Sequence, residues 1–179
     1  MENTKNINLL SIGRFSEAKN FDNIPEICKF IKKSGINVKW YLIGYGAQEN
    51  LIRNKITEYG MENNVIILGK KINPYPYIKN CDIYVQTSHP GEAWGMGINE
   101  AKIFGKPVVV SKTEVFTEQV IDYETGLIYD HTVDDLVEKI KLLIYSEDLK
   151  SYIQKNLKAS DWSNIEYLEI LYSLMEGCE

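Results

Sequence analysis

The chain has 179 residues, of which 44% are hydrophobic and 25% are charged, a balance typical of an ordinary globular domain. No apolar run approaches the roughly 20 residues needed to cross a bilayer, which argues against an integral membrane protein. The formal net charge of -5 argues against a general nucleic-acid-binding protein, because such proteins present a basic surface.

The cysteines and histidines do not form a metal-binding pattern. Cys28, Cys81 and Cys178 lie far apart in sequence, no CxxC pair exists, and His89 and His131 are the two histidines. A zinc cluster cannot be assembled from them at the usual ligand spacings. Free thiols in a reducing compartment are the expectation, and they place the protein in the cytosol.

Six short runs rich in β-branched residues are separated by segments long enough for helices. This alternation predicts parallel strands joined by helical crossovers. Several runs are apolar on both faces, as strands covered by helices on both sides require. The runs are Ile7–Ile12, Val38–Ile43, Val65–Leu68, Asp82–Gln86, Val108–Val110 and Leu127–Tyr129. We therefore predict one Rossmann-like α/β domain over residues 1–179, a doubly wound parallel sheet of about six strands with helices on both faces.

Glycine and proline positions support this chain order. The segment Gly44-Tyr45-Gly46 is expected to follow the second strand, and Gly105 is expected to adopt a left-handed conformation after a helix that ends at Phe104. Pro107 then precedes a strand, a position that tolerates it. The remaining chain is predicted to form a helical C-terminal tail over about 133–176.

The loop after the first strand carries two cations. Ligands of open parallel sheets bind beyond the carboxyl ends of the strands, near helix N-termini. Gly13 permits a sharp turn there, and Arg14 and Lys19 can converge on one anion at the expected start of a helix. A diphosphate fits this pair, because charge-assisted hydrogen bonds are strong. On this segment alone, a solvated basic turn that pairs with Glu17 is the more ordinary explanation.

The loop after the fourth strand combines acidic residues with glycines. Glu92 and Glu100 flank seven residues that include Gly95 and Gly97. The glycines allow main-chain N–H groups to approach a phosphate without an intervening Cβ. Carboxylates beside a phosphate site must contact neutral hydroxyls, such as those of a sugar or a ribose. A separate turn over residues 68–74 offers backbone groups that could face a nucleobase.

These segments occur in one fixed order and resemble a known family. GRFSEAK, YLIGYGAQENL, VIILGK, EAWGMGINEAKIFGKPVVVS and TEQVIDYETGLIY resemble the nucleotide-sugar-binding C-terminal domain of the retaining GT-B glycosyltransferases of family 4. The resemblance runs from about Asn8 to Met175, and the Glu-x7-Glu segment followed by GKPVV is its most specific part. It implies the C-terminal half of a GT-B fold. It also implies retaining transfer of a sugar from a nucleotide-diphosphate donor to an acceptor in polysaccharide or glycoconjugate biosynthesis.

The resemblance assigns roles to individual residues. Arg14 and Lys19 match the basic pair that grips the donor diphosphate, Glu92 matches the contact to the transferred sugar, and Glu100 matches the contact to the ribose. The implied catalytic residues are Arg14, Lys19 and Glu92. The implied donor-binding residues are Gly13, Arg14, Lys19, Lys70, Lys71, Ile72, Glu92, Trp94, Gly95, Met96, Gly97 and Glu100. No metal or other cofactor is expected, because the basic pair and helix N-termini replace it at the diphosphate.

Some positions depart from the family pattern. Ala93 and Trp94 stand where Gly-Phe is frequent, Asn99 occupies a usually apolar place, and Lys102 replaces a common Met. These departures leave the phosphate and ribose assignments intact but weaken any inference about the sugar.

The partners follow from the same resemblance. About seven residues precede the first strand, too few for a second domain, so we expect the N-terminal acceptor domain in the rest of a longer protein or in a separate subunit. Membrane contact is expected only through the complete enzyme, which could work at the inner face of the membrane.

Other functions stay open. The chain could be a non-catalytic nucleotide-sugar-binding module, or part of another GT-B enzyme such as a sugar-nucleotide epimerase or a phosphorylase. A nicotinamide dehydrogenase is disfavoured, because no G-x-G-x-x-G follows the first strand.

Overall fold

A computed structural model describes residues 6–91 and 95–160, and its strands form one parallel sheet. The strand order is β3-β2-β1-β4-β5-β6, and every neighbouring pair is parallel. The strands are β1 (Ile7–Arg14), β2 (Val38–Tyr45), β3 (Val65–Gly69), β4 (Ile83–Gln86), β5 (Val108–Ser111) and β6 (Leu127–Tyr129). The predicted doubly wound sheet of six strands is confirmed.

Helices cover both faces of this sheet and bury two separate apolar cores. The helices are α1 (Ile24–Lys33), α2 (Glu49–Tyr59), α3 (Tyr75–Asn80), α4 (Met96–Ile103), α5 (Glu114–Gln119), α6 (Val133–Tyr145) and α7 (Glu147–Ala159). One core packs β1 against α1, α2, α6 and α7, with Leu9 fully buried. The other packs the opposite face against α3, α4 and α5, with Leu10 buried. Adjacent residues of β1 thus enter different cores, which explains why the strand is apolar on both sides.

The helix ends agree with most of the predicted turn chemistry. Gly105 has φ +66°, as predicted, although α4 ends at Ile103 and Phe104 caps it. The C-terminal helical segment consists of α6 and α7, separated at Ser146, whose Oγ accepts a hydrogen bond of 3.3 Å from the amide of Leu149. The predicted tail beyond residue 160 lies outside the described residues.

Two sequence expectations about boundaries are wrong. Gly44 and Tyr45 belong to β2, because they pair in register with Gly13 and Arg14 of β1. Gly46 alone follows the strand, as predicted. The first helix does not begin near Arg14–Lys19 but at Ile24. Residues between them form two short 3-10 turns, Glu17–Lys19 and Phe21–Asn23.

The strand order places a crevice at the carboxyl edge of the sheet. The chain leaves β1 towards β2 on one side, whereas β4 lies on the other side of β1 and leads to β5. In such sheets ligands bind where the strand order reverses, here between the ends of β1 and β4. No helix among the described residues is long and apolar enough to cross a membrane.

Candidate functional site

The loop after β1 differs from the expected helix start. Asn20 adopts a left-handed conformation with φ +54°, which ends the first 3-10 turn, and Pro25 in the first turn of α1 favours a later helix start. The N-terminal dipole of a long helix therefore does not act on Arg14 and Lys19. The Lys19 side chain nevertheless returns to the end of β1, because its Cε lies 3.2 Å from where a Cβ on Gly13 would be.

Arg14 is exposed at the end of β1. Within the described residues no carboxylate forms an ion pair with its guanidinium, so pairing with Glu17 does not occur. Its Cζ lies 6.0 Å from the centre of the Tyr45 ring. The Nζ of Lys70 lies 5.2 Å from the centre of the same ring. Cations from β1 and from the loop after β3 thus meet at a tyrosine of β2.

The ends of β1 and β2 approach each other unusually closely. A Cβ on Gly44 would lie 1.8 Å from the carbonyl oxygen of Gly13, and one on Gly46 would lie 2.4 Å from that of Phe15. The amide of Phe15 donates a hydrogen bond of 2.8 Å to the carbonyl of Tyr45. We call residues 13–15 and 44–46 the β1–β2 shelf. No side chain larger than hydrogen fits at Gly44 or Gly46, so the main chains of the shelf are closely packed.

The loop after β4 is tied to the loop after β1 across the crevice. The hydroxyl of Thr87 donates a hydrogen bond of 2.8 Å to the carbonyl of Lys19. The amide of His89 donates one of 2.8 Å to the carbonyl of Ala18. Both bonds join segments about 70 residues apart in sequence. They fix the loop after β1 against the first residues that follow β4.

The glycines of α4 face the sheet. A Cβ on Gly97 would lie 2.2 Å from the hydroxyl of Tyr84, which is 3.1 Å from Gln86 Oε1 and 3.4 Å from the carbonyl of Ile12. A Cβ on Gly95 would similarly collide with the apolar side chains beneath it. The lack of a Cβ at these two positions thus allows the start of α4 to sit close on the sheet, and the approach of the main-chain amides to a phosphate stays a prediction.

The first amides of α4 remain available to a ligand. The first N–H groups of a helix have no acceptor within it, and here these include the amides of Met96 and Gly97. Within residues 6–91 and 95–160 no side chain caps this end, since its cap residue is Gly95, and the Met96 side chain is exposed. The N-terminus of α4 therefore presents donors at the carboxyl edge of the sheet.

Glu100 lies one turn further along α4. Desolvation by burial raises the pKa of its carboxyl above the usual value. Within the described part of the chain its carboxylate accepts no hydrogen bond and forms no ion pair. A partly desolvated carboxylate without a protein partner is a candidate binding group, because hydroxyl donors from a ligand would compensate for the lost water.

The predicted base-contacting segment follows β3. Lys70 is exposed, and the Nζ of Lys71 lies 5.7 Å from the centre of the Tyr77 ring. The side chain of Ile72 is fully exposed. The structure therefore brings Lys70 towards Arg14 through their common contact with Tyr45. Among the described residues, Lys71 and Ile72 have no such contact in common with Arg14.

Two predicted residues lie outside the described part of the chain. These residues are Glu92 and Trp94, and their roles stay predictions. Within residues 6–91 and 95–160, no group of three or more His, Cys, Asp or Glu side chains is placed to hold a metal ion.

Sequence reasoning missed two features. Tyr45 is 49% exposed although it ends a buried strand, and an aromatic residue between two glycines was the available signal. Lys102 is buried, donates a hydrogen bond to the carbonyl of Gln119 at the end of α5, and has a pKa lowered by desolvation. It thus acts in packing and stabilises a helix C-terminus.

An apolar cavity of about 330 Å³ lies beneath α3 and contains none of the predicted site residues. Its lining includes Leu10, Tyr41, Tyr77 and Cys81. Burial raises the pKa of the Cys81 thiol to about 12, so this cysteine is an unreactive packing group.

Comparison with known proteins is consistent with this architecture. The model of the family described as "Glycosyl transferases group 1" matches residues 1–160. The capsular polysaccharide biosynthesis glycosyltransferase CapM of Staphylococcus aureus is 28% identical over 147 residues, which are 81% of this chain and 38% of CapM.

Solved structures give the same picture. Anabaena HepE in complex with UDP-glucose has a TM-score of 0.75 and 27% identity, over 87% of this chain and 43% of that chain. S. aureus TarM, solved with UDP among its ligands, shares the fold with a TM-score of 0.81 and 24% identity, over 93% of this chain and 35% of that chain. The chain thus spans about two fifths of the length of these relatives.

Proposed function

The chain belongs to the family of glycosyl transferases group 1, and on this premise we propose that it is the donor-binding domain of a retaining GT-B transferase of family 4. The complete enzyme would transfer a sugar from a nucleotide diphosphate to an acceptor in polysaccharide or glycoconjugate biosynthesis. The name of CapM and the UDP-glucose bound to HepE support this substrate class. The observation that carries the proposal is the meeting of the basic β1 loop and the N-terminus of α4 at the switch point of the sheet.

Arg14 and Lys19 would bind the diphosphate of the donor. Both side chains lie at the end of β1, and the Arg14 guanidinium forms no ion pair within the described residues. Each charge-assisted hydrogen bond to a phosphate oxygen contributes about 1.5–3 kcal/mol. Negative charge grows on the diphosphate as the sugar departs, so the same contacts strengthen in the transition state. We propose that these cations make a metal ion unnecessary.

The residues of α4 would bind the neighbouring parts of the donor. The amides of Met96 and Gly97 would donate to phosphate oxygens. The carboxylate of Glu100 would accept hydrogen bonds from the two ribose hydroxyls, which would compensate for its partial desolvation. Glu92 would contact the transferred sugar, and Trp94 would belong to the donor-binding set.

The acceptor would come from an N-terminal domain, in the same protein or in a separate subunit. We place the reaction in the cytoplasm, with membrane contact only through the complete enzyme.

A thermal-shift panel with UDP, GDP, ADP and their sugar derivatives tests donor binding. A ligand at one hundred times its dissociation constant stabilises the folded chain by about 2.7 kcal/mol. For a chain of this size the expected rise in Tm is about 5–11 °C. The double variant Arg14→Ala/Lys19→Ala should lose the shift, and the rise should be the same in EDTA.

The matched control removes two positive charges from the exposed surface of α7. Lys155→Ala/Lys158→Ala should keep the full shift, which separates a local contact from a change in net charge. Folded wild-type protein that melts at one temperature in every ligand would refute donor binding. A shift that disappears in EDTA would refute only the metal-independence.

A further inference from the structure

Tyr45 is an exposed aromatic residue at the carboxyl edge of the sheet, and its ring takes part in none of the donor contacts proposed above. We propose that its ring is a stacking platform for the nucleobase of the donor. This inference rests on the proposed function, because it assigns a further contact within the same site.

Tyr45 lies between the residues proposed to bind the diphosphate of the donor and the segment predicted to face its base. Its strand, β2, lies between β1 and β3, and Tyr45 is the register partner of Arg14. Arg14 approaches the ring from the β1 side, and Lys70 approaches it from the loop after β3. The ring therefore stands between the proposed diphosphate contacts and the segment predicted to face the base.

The ring is exposed while its main chain is rigid. Nearly half of the Tyr45 surface is accessible, at 49%. Its neighbours Gly44 and Gly46 pack against the backbone of β1, and its carbonyl accepts the hydrogen bond from Phe15. A tyrosine on a fixed backbone loses only two side-chain torsions when it binds a partner, so a contact to its ring costs little entropy.

The two cations beside the ring indicate what kind of ligand it accepts. Their distances of 5.2 Å and 6.0 Å lie near the outer limit of cation–π contacts. At an exposed site such a contact changes an equilibrium by only about two- to fivefold, so either cation can move towards an anion. Neither Arg14 nor Lys70 has a carboxylate partner among the described residues.

A ligand that offers an aromatic plane and phosphates satisfies all three side chains together. The base would cover the ring of Tyr45, and the cations would turn to the phosphates. Pyrophosphate alone would engage the cations but leave the ring exposed. Stacking of a base on an aromatic side chain changes affinity by about 5- to 150-fold.

Isothermal titration calorimetry of the 179-residue chain tests this distinction with two probes. The first is the nucleoside diphosphate that raises Tm most, and the second is inorganic pyrophosphate. Tyr45→Ala should weaken nucleoside diphosphate binding by about 5- to 150-fold and leave pyrophosphate affinity within about twofold. Tyr45→Phe, which keeps the ring, should bind both probes as the wild type does.

The control is Tyr145→Ala, which removes an exposed tyrosine at the C-terminal end of α6 and should change neither affinity. Unchanged nucleoside diphosphate affinity in Tyr45→Ala would overturn the platform but not donor binding. Equal losses for both probes would also overturn it, because the ring would then act only through the cations. Absence of nucleoside diphosphate binding to the wild type would overturn the proposed function itself.

Discussion

Gly97→Ala is expected to push the start of α4 away from the sheet. The new Cβ would lie 2.2 Å from the hydroxyl oxygen and 3.0 Å from the Cζ of Tyr84. Tyr84 is fully buried and its hydroxyl is already in polar contacts, so the ring has no open space to enter. Overpacking of this kind costs about 1–3 kcal/mol. The expected fall in Tm is about 2–12 °C for a chain of this length.

A second substitution tests whether the collision is the cause. Tyr84→Phe removes the oxygen nearest to the new Cβ and leaves contacts of 3.0 Å to Cζ and 3.6 Å to Cε2. On its own it should cost about 0.5–1.5 kcal/mol, because it removes a buried hydrogen bond. In the double variant we expect at least about 1 kcal/mol of favourable coupling. Alanine also favours helix formation over glycine by up to about 1 kcal/mol, which partly offsets the steric cost in both backgrounds and cancels from the coupling.

Urea unfolding of the four proteins in this cycle measures the coupling. Additive losses of stability would refute the steric explanation. Nucleoside diphosphate affinity, measured on the same four proteins, separates packing from ligand approach. If Tyr84→Phe restores stability to Gly97→Ala and also restores binding, the glycine serves the position of α4. If binding stays lost while stability returns, the glycine is needed for direct approach of the ligand.

Two further predictions concern a buried hydroxyl and a carboxyl. Ser11→Ala should lower the free energy of unfolding, measured in urea, by about 2–4 kcal/mol, because the buried Trp40 indole N–H and Val85 carbonyl would both lose their hydrogen bonds to Ser11. The control is Ser16→Ala, which should be nearly neutral, because the Ser16 hydroxyl makes no hydrogen bond with the described residues. Equal losses in both variants would contradict this account. The Glu100 carboxyl has a folded-state pKa above the ordinary 4.5, so the stability of the wild type falls as pH rises through the window above 4.5. Glu100→Gln should therefore raise Tm at neutral pH, lose that advantage below this window, and weaken donor binding. A variant with unchanged Tm at both pH values would contradict the desolvation argument.

The strands were largely predictable from sequence because their signal is local. A strand covered on both faces must be apolar at consecutive positions, and Leu9 and Leu10 enter opposite cores as that pattern requires. The ends of β1 and β2 were less predictable. Arg14 and Tyr45 are not core residues, and they belong to the strands only because each is paired with the other across the ladder.

The start of the first helix could not be located from the pattern. The segment from Arg14 to Lys19 is rich in helix-compatible residues, but the left-handed conformation of Asn20 interrupts it. An asparagine can adopt either conformation, so its choice depends on packing around Phe21, which is fully buried. Sequence reasoning identified Arg14 and Lys19 as the cations at this edge, but it did not predict the backbone conformation of the loop that positions them.

The close contacts of the site were beyond sequence reasoning for a related reason. That a Cβ at position 97 would meet Tyr84 depends on the distance between α4 and the sheet, which no local spacing encodes. The exposure of Tyr45 likewise depends on what the loops after β1 and β3 leave uncovered. Glycines in the sequence indicated where the backbone approaches another part of the molecule, but they did not identify the contacting residue.

The β1–β2 shelf has a consequence for attempts to change donor preference by exchanging segments with relatives. Since Gly44 touches Gly13 and Gly46 touches Phe15 through main-chain atoms, neither stretch can be transplanted without the other. Chimaeras that exchange only one of the two stretches are expected to lose this main-chain packing, whereas chimaeras that exchange both should keep it and fold.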